Sequence, residues 1–142
     1  MNKNVIILSI IVLSITIIFL WNSSYNGKVC FKKNCFNVEI VKSSSDLQKG
    51  LMFRQVLEKD SGMLFVFPEE SIHPFWMKNT SIPLDIIWIN SSKNVVYISK
   101  NSQPCLDSCK FIMPDKDAKY VLEINFGITD EIRLKIGDKL EF

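Results

Sequence analysis

From Ile82 to Ile89 the chain reads Ile-Pro-Leu-Asp-Ile-Ile-Trp-Ile, a single carboxylate, Asp85, set in a run that is otherwise apolar. A short, β-branched, apolar run is the pattern of a strand buried on both faces. Asp85 must then find a partner or take up a proton, because an unpaired buried charge is very costly. Just upstream, His73-Pro74-Phe75-Trp76-Met77-Lys78-Asn79-Thr80 adds the only histidine, a lysine, an amide and a hydroxyl between aromatic residues. Residues 73 to 89 are therefore where specialised chemistry would lie, although they specify no reaction.

The rest of the chain is punctuated into short strands. Val29 to Phe31 and Cys35 to Val41, around the turn Lys32-Lys33-Asn34, predict a β-hairpin whose second strand buries Phe36, Val38 and Ile40. Ser45 with Gln48 matches a capping box and predicts a short helix over 46–53. Strands are expected at Met63–Phe67, ended by Pro68, at Ile82–Ile89, at Val95–Ser99 returning antiparallel, and at Tyr120–Asn125. Residues 101 to 117 read as a long loop, Thr129 to Lys135 as a short helix, and Lys139 to Phe142 as a last edge strand. Many short strands and few helical turns predict a mainly β fold, a compact barrel or sandwich with one or two short helices.

The N-terminus is different in kind. Val5 to Leu20 is broken only by Ser9, Ser14 and Thr16, and no charge follows Lys3 until Lys28. With Trp21 the run makes roughly 25 Å of helix, the short end of what spans a bilayer. A cleaved signal peptide would need small residues before the cut, and Trp21-Asn22-Ser23-Ser24 offers a poor site. An uncleaved anchor over residues 1–21 fits better, with Trp21 and Tyr25 suited to the interface. A buried core helix is the weakest reading, since the segment has no polar face. Residues 22–28 then form a tether and 29–142 an extracytoplasmic domain, sited outside the cell membrane if Lys3 stays inside.

The cysteines agree with export. Cys30, Cys35, Cys105 and Cys109 are an even set beyond the apolar segment, and their spacing predicts the local bridges Cys30–Cys35 and Cys105–Cys109. Zinc held by all four is the rival reading. Beyond Lys3 the chain carries 16 Lys+Arg (17 less Lys3) against 15 Asp+Glu, a balance without the basic stripe that nucleic acid requires. No sequence motif calls for a cofactor.

The candidate ligand-binding set is Arg54, Trp76, Lys78, Asn79, Thr80 and Asp85. Asp85 could accept charge-assisted bonds from Lys78 or a bidentate pair from Arg54, either as a structural ion pair or as a proton-transfer group in a cleft. His73 lacks the companions a metal centre needs, and the methionines form no M-x-M cluster for reduced copper. Phe75, Trp76 and Trp88 would suit a sugar or peptide groove or the core. Alternation sends Phe75 and Met77 to one side and Trp76 and Lys78 to the other, so at least one aromatic should leave the core.

Gly50-Leu51-Met52-Phe53-Arg54, Gly62-Met63-Leu64-Phe65-Val66-Phe67, Phe75-Trp76-Met77-Lys78-Asn79-Thr80, Ile82-Pro83-Leu84-Asp85, Tyr120-Val121-Leu122-Glu123 and Gly137-Asp138 occur in that order. In these blocks residues 38 to 142 resemble the domain of unknown function 192 family. The resemblance implies a compact β-rich domain, often exported and membrane-anchored, and carries no biochemical activity. The expectation is a membrane-anchored domain that binds a small ligand or an envelope partner protein. The alternative is a hydrolase or lyase of envelope polymers with Asp85 as base and Lys78 as electrostatic stabiliser.

Overall fold

The computed structural model describes residues 26–142, so the anchor or signal peptide expected over residues 1–21 lies outside the described residues. Among the described residues no helix is long and apolar enough to cross a membrane. The strands are β1 (Gly27–Phe31), β2 (Asn34–Val41), β3 (Ser61–Ser71), β4 (Leu84–Ile89), β5 (Val95–Ser102) and β6 (Ala118–Asn125), with short helices α1 (Ser44–Lys49) and α2 (Ile128–Glu131). They form one six-stranded sheet in the order β1-β2-β3-β6-β4-β5. Only β2 and β3 run parallel, and α1 lies in their connection.

The C-terminal segment links the two edges of this sheet. Glu141 exchanges backbone hydrogen bonds with Cys30 on β1, while Leu140 donates to Lys93 and Val95 donates to Asp138 at the start of β5. Residues 139–142 thus pair only through isolated bridges, to Cys30 and Asn94, where a regular edge strand was expected. Their short reach covers edges that would otherwise offer unpaired backbone groups.

Both faces of the sheet are buried, as the unbroken burial of Leu84–Ile89 requires. One face packs Val29, Phe36, Val38, Leu64, Ile87, Ile89, Leu122 and Ile124 under Ile128, Leu134 and Leu140. The other packs Met63, Phe65, Leu84, Ile86, Trp88 and Val121 under Leu51, Leu57, Phe75 and Met77. Odd and even positions of β4 divide cleanly between the two, as a period of two demands.

Several boundaries move for local reasons. Ser43, not Ser45, caps α1, accepting from the Asp46 N–H at 3.2 Å, and the helix stops at Lys49 because Gly50 turns left-handed at φ +48°. Strand β3 does not end at Pro68. It continues to Ser71, with a register irregularity between Val66 and Ser71 that accommodates the missing N–H. Helix α2 is only Ile128–Glu131, entered from Gly127 at φ +81°.

Candidate ligand-binding cleft

Asp85 does not line the cleft on the other face of the sheet. Its carboxylate is fully buried, one oxygen accepting from the Asn101 N–H at 2.9 Å and the other from the Thr129 N–H at 3.0 Å and hydroxyl at 2.7 Å. These are the partners the buried charge needed, and they replace the expected Lys78 or Arg54. The group ties the end of β5 and the start of α2 to β4. Fully buried, this carboxylate has no open face at which to meet a substrate, so the hydrolase or lyase scheme built on Asp85 and Lys78 draws no support from its geometry.

The remaining candidates gather on the opposite face. Alternation holds through 75–78, with Phe75 and Met77 buried, Trp76 half-buried and Lys78 exposed. The Lys78 ammonium lies 5.1 Å over the Trp76 ring. Asn79 takes a left-handed φ of +56°, so that its carbonyl accepts from the Phe53 N–H and its own N–H donates to the Cys105 carbonyl. Thr80 is buried, and its hydroxyl donates to the Lys78 carbonyl at 3.4 Å. Arg54 makes a bidentate pair with Glu39, at 2.5 and 2.6 Å. Trp88 is wholly buried, its indole N–H donating to the His73 carbonyl, so it belongs to the core and not to a binding surface.

The segment after β5 is fastened over this region at two places. The Cys105 N–H donates to Met77 and its carbonyl accepts from Asn79, while Ile112 and Phe75 exchange backbone hydrogen bonds. Between them the Cys105–Cys109 disulfide closes a tight loop, and Phe111 stacks on Trp76 with ring centroids 5.2 Å apart. Cys30–Cys35 bridges register partners across the first hairpin, so the described cysteines are paired and the four-cysteine zinc reading falls. Among the described residues no group of three or more His, Cys, Asp or Glu is placed to hold a metal ion. His73 stacks on Phe67 at 3.6 Å, and its Nε2 approaches Ser71 and the Glu69 carbonyl.

Under the Trp76–Phe111 stack opens a cleft of about 160 Å³, bounded by Leu47 to Met52, by Phe65 and Phe67 of β3, and by Pro74 to Trp76 with Thr80. Glu123 of β6 is on its floor. That side chain is almost completely buried, and among the described residues its Oε2 has no hydrogen-bond partner. Burial pushes the carboxyl from 4.5 up to about 8, against a smaller downward pull from the Arg54 guanidinium. The acid is therefore mostly protonated at neutral pH. Gly50 keeps the floor open: a Cβ there would sit 3.1 Å from the Phe65 ring and 3.8 Å from Glu123 Oε2.

Glu123 is the residue that sequence reasoning passed over. The signal was present, since Val121, Leu122 and Ile124 surround it much as the isoleucines surround Asp85. Asp85 is the more conspicuous of the two because it stands beside the Trp76–Thr80 block.

Known proteins share this architecture. A solved protein of unknown function from Novosphingobium aromaticivorans is 34% identical, with a TM-score of 0.72 over 81% of this chain and 82% of that one. A Sinorhizobium meliloti structure, described as a candidate transcription regulator, is 32% identical, with a TM-score of 0.76 over 84% of this chain and 96% of its own. A UPF0127 protein of Pyrococcus furiosus is 33% identical over 98 residues, which is 66% of this chain and 75% of that protein. Residues 28–142 match the model of the domain of unknown function 192 family, described as an uncharacterised ACR, and the chain belongs to that family.

Proposed function

We propose that this domain binds a small ligand in the cleft beneath Trp76 and Phe111, with Glu123 as its polar anchor. The observation that carries the reading is a buried carboxyl, Glu123, whose Oε2 has no partner among the described residues and whose side chain helps line a space walled by aromatic side chains. Buried polar atoms are almost always satisfied, and an exception in a cleft marks a group waiting for one. Lys78 and Asn79 shape the rim through Trp76 and Phe53, and Arg54 biases the charge of Glu123 from beside it.

A ligand screen by NMR on the full-length chain tests this. Binders should shift the Trp76 indole and Thr80 amide signals in the wild type and not in Glu123→Leu. A panel of binders that all perturb other surfaces would reject the cleft. A partner-protein reading has its own support in Phe53 and Phe111, which are 67% and 57% exposed. They border the same region and would make a small apolar contact rim.

We further propose that the domain lies outside the cytoplasm, held by an uncleaved membrane anchor over residues 1–21. Support comes from the apolar run Val5–Leu20, the poor cleavage site after Trp21, and the paired cysteines. Intact-mass measurement of membrane-extracted protein should find residues 1–21 retained. Loss of the first twenty-odd residues would remove the anchor.

A further inference from the structure

Glu123 narrows the chemistry of the ligand. Lys49 lines the cleft and the Lys78 ammonium lies over Trp76 at its rim, while the nearby Arg54 guanidinium is paired with Glu39. A cationic ligand would have to pass these charges. An anion would be drawn to the mouth but would lose its hydration against Phe65, Phe67 and Phe75, whose ring faces carry negative quadrupole density. The space of about 160 Å³ is close to the roughly 150 Å³ cavity that admits a benzene-sized guest, so it has room for one ring within its walls. What remains is a neutral, single-ring ligand.

A carboxyl that is mostly protonated offers a donor and an acceptor on one group. A hydroxyl answers both, and the C–H faces of a saturated ring suit aromatic walls. Resting on the reading that this cleft is a ligand site, we propose that it takes one neutral hydroxylated ring, the terminal unit of a saccharide, with a ring hydroxyl paired to the Glu123 carboxyl. The Cys105–Cys109 loop positions Phe111 against Trp76 at the entrance, where the next unit of a longer chain would emerge.

The test uses the full-length chain and saturation-transfer NMR with the methyl glycosides of glucose, galactose, mannose and N-acetylglucosamine. N-methylacetamide, benzyltrimethylammonium and benzoate serve as an amide, a cation and an anion. At least one glycoside should bind and shift the Trp76 indole signal. Glu123→Gln, which keeps a donor and an acceptor, should stay within about threefold of the wild type, and Glu123→Leu should weaken binding more than tenfold. Binding of the amide, cation or anion probe at Trp76 with no glycoside bound would overturn the saccharide assignment while keeping the cleft as a ligand site. A glycoside lost equally in Glu123→Gln and Glu123→Leu would overturn recognition by the neutral acid. No Trp76 or Thr80 response to any probe would overturn both the assignment and the ligand site.

Discussion

Asp85 and Glu123 stand one register position apart on neighbouring antiparallel strands, Asp85 opposite Ile124 and Glu123 opposite Ile86, and their side chains enter opposite faces of the sheet. Asp85 joins the face of Ile87, Ile89 and Ile124, where three donors reach it. Glu123 joins the face of Met63, Ile86 and Val121, where the packing stops short and leaves a cleft. One carboxylate accepts three hydrogen bonds, and the other has an Oε2 with no hydrogen-bond partner among the described residues.

Replacing Asp85 with alanine should lower stability by about 3–5 kcal/mol, since it leaves the buried Thr129 N–H and hydroxyl and the part-buried Asn101 N–H without their charged acceptor. Asp85→Asn keeps one acceptor oxygen and should lose about half as much. Urea melts measure both, and an unchanged midpoint for Asp85→Ala would refute the structural role.

The disulfides should separate in the same way. Each closes a loop with ends only five or four residues apart, so each contributes about 2 kcal/mol by the loop-entropy relation. Removing Cys30–Cys35 as a double alanine variant should lower the melting midpoint and leave Trp76 fluorescence unchanged. Removing Cys105–Cys109 should cost a similar amount and also change Trp76 fluorescence, because that loop seats Phe111 on Trp76. Identical fluorescence in the two variants would mean that the clip does not set the cleft entrance.

Substitution of Gly50 tests whether the floor must stay open. Alanine there meets Phe65 at 3.1 Å and is held at φ +48°, a region that costs a side chain about 1–2 kcal/mol. Gly50→Ala should therefore fold with a modest loss of stability and reduced ligand binding. Full binding in that variant would show that the ligand does not reach the floor.

Strand patterning made the sheet legible. The apolar runs around Leu64, Ile87 and Leu122 could lie only between neighbours, and the hairpin was fixed by Phe36, Val38 and Ile40. The parallel pairing of β2 with β3 and the use of residues 139–142 to link both edges were not legible, because pairing partners are set by tertiary closure. The partner of Asp85 was missed for a related reason. Thr129 is 44 residues away, and a buried carboxylate accepts backbone N–H groups that leave no trace in residue type. Trp76, Lys78, Asn79 and Thr80 did come together, since alternation and sequence proximity bind them.

The pH dependence of stability isolates Glu123. Its carboxyl titrates near 4.5 when solvated and at about 8 in the fold, so between those values the folded state holds a proton that the unfolded state has released. Stability is then fully retained below about 4.5 and falls as pH rises toward 8, by as much as about 5 kcal/mol from this group alone. Glu123→Gln cannot ionise and should remove that slope, leaving a variant with little change near pH 5 and higher stability than the wild type near pH 8. Urea midpoints of both proteins from pH 5 to 8.5, plotted as their difference, cancel the other titrating groups. A saturating ligand that pairs with the neutral acid should extend wild-type stability to higher pH, since it binds the protonated folded form. Parallel profiles for wild type and Glu123→Gln would mean that Glu123 titrates as a solvated carboxylate, and the cleft would then have no buried acid for a neutral ligand to meet.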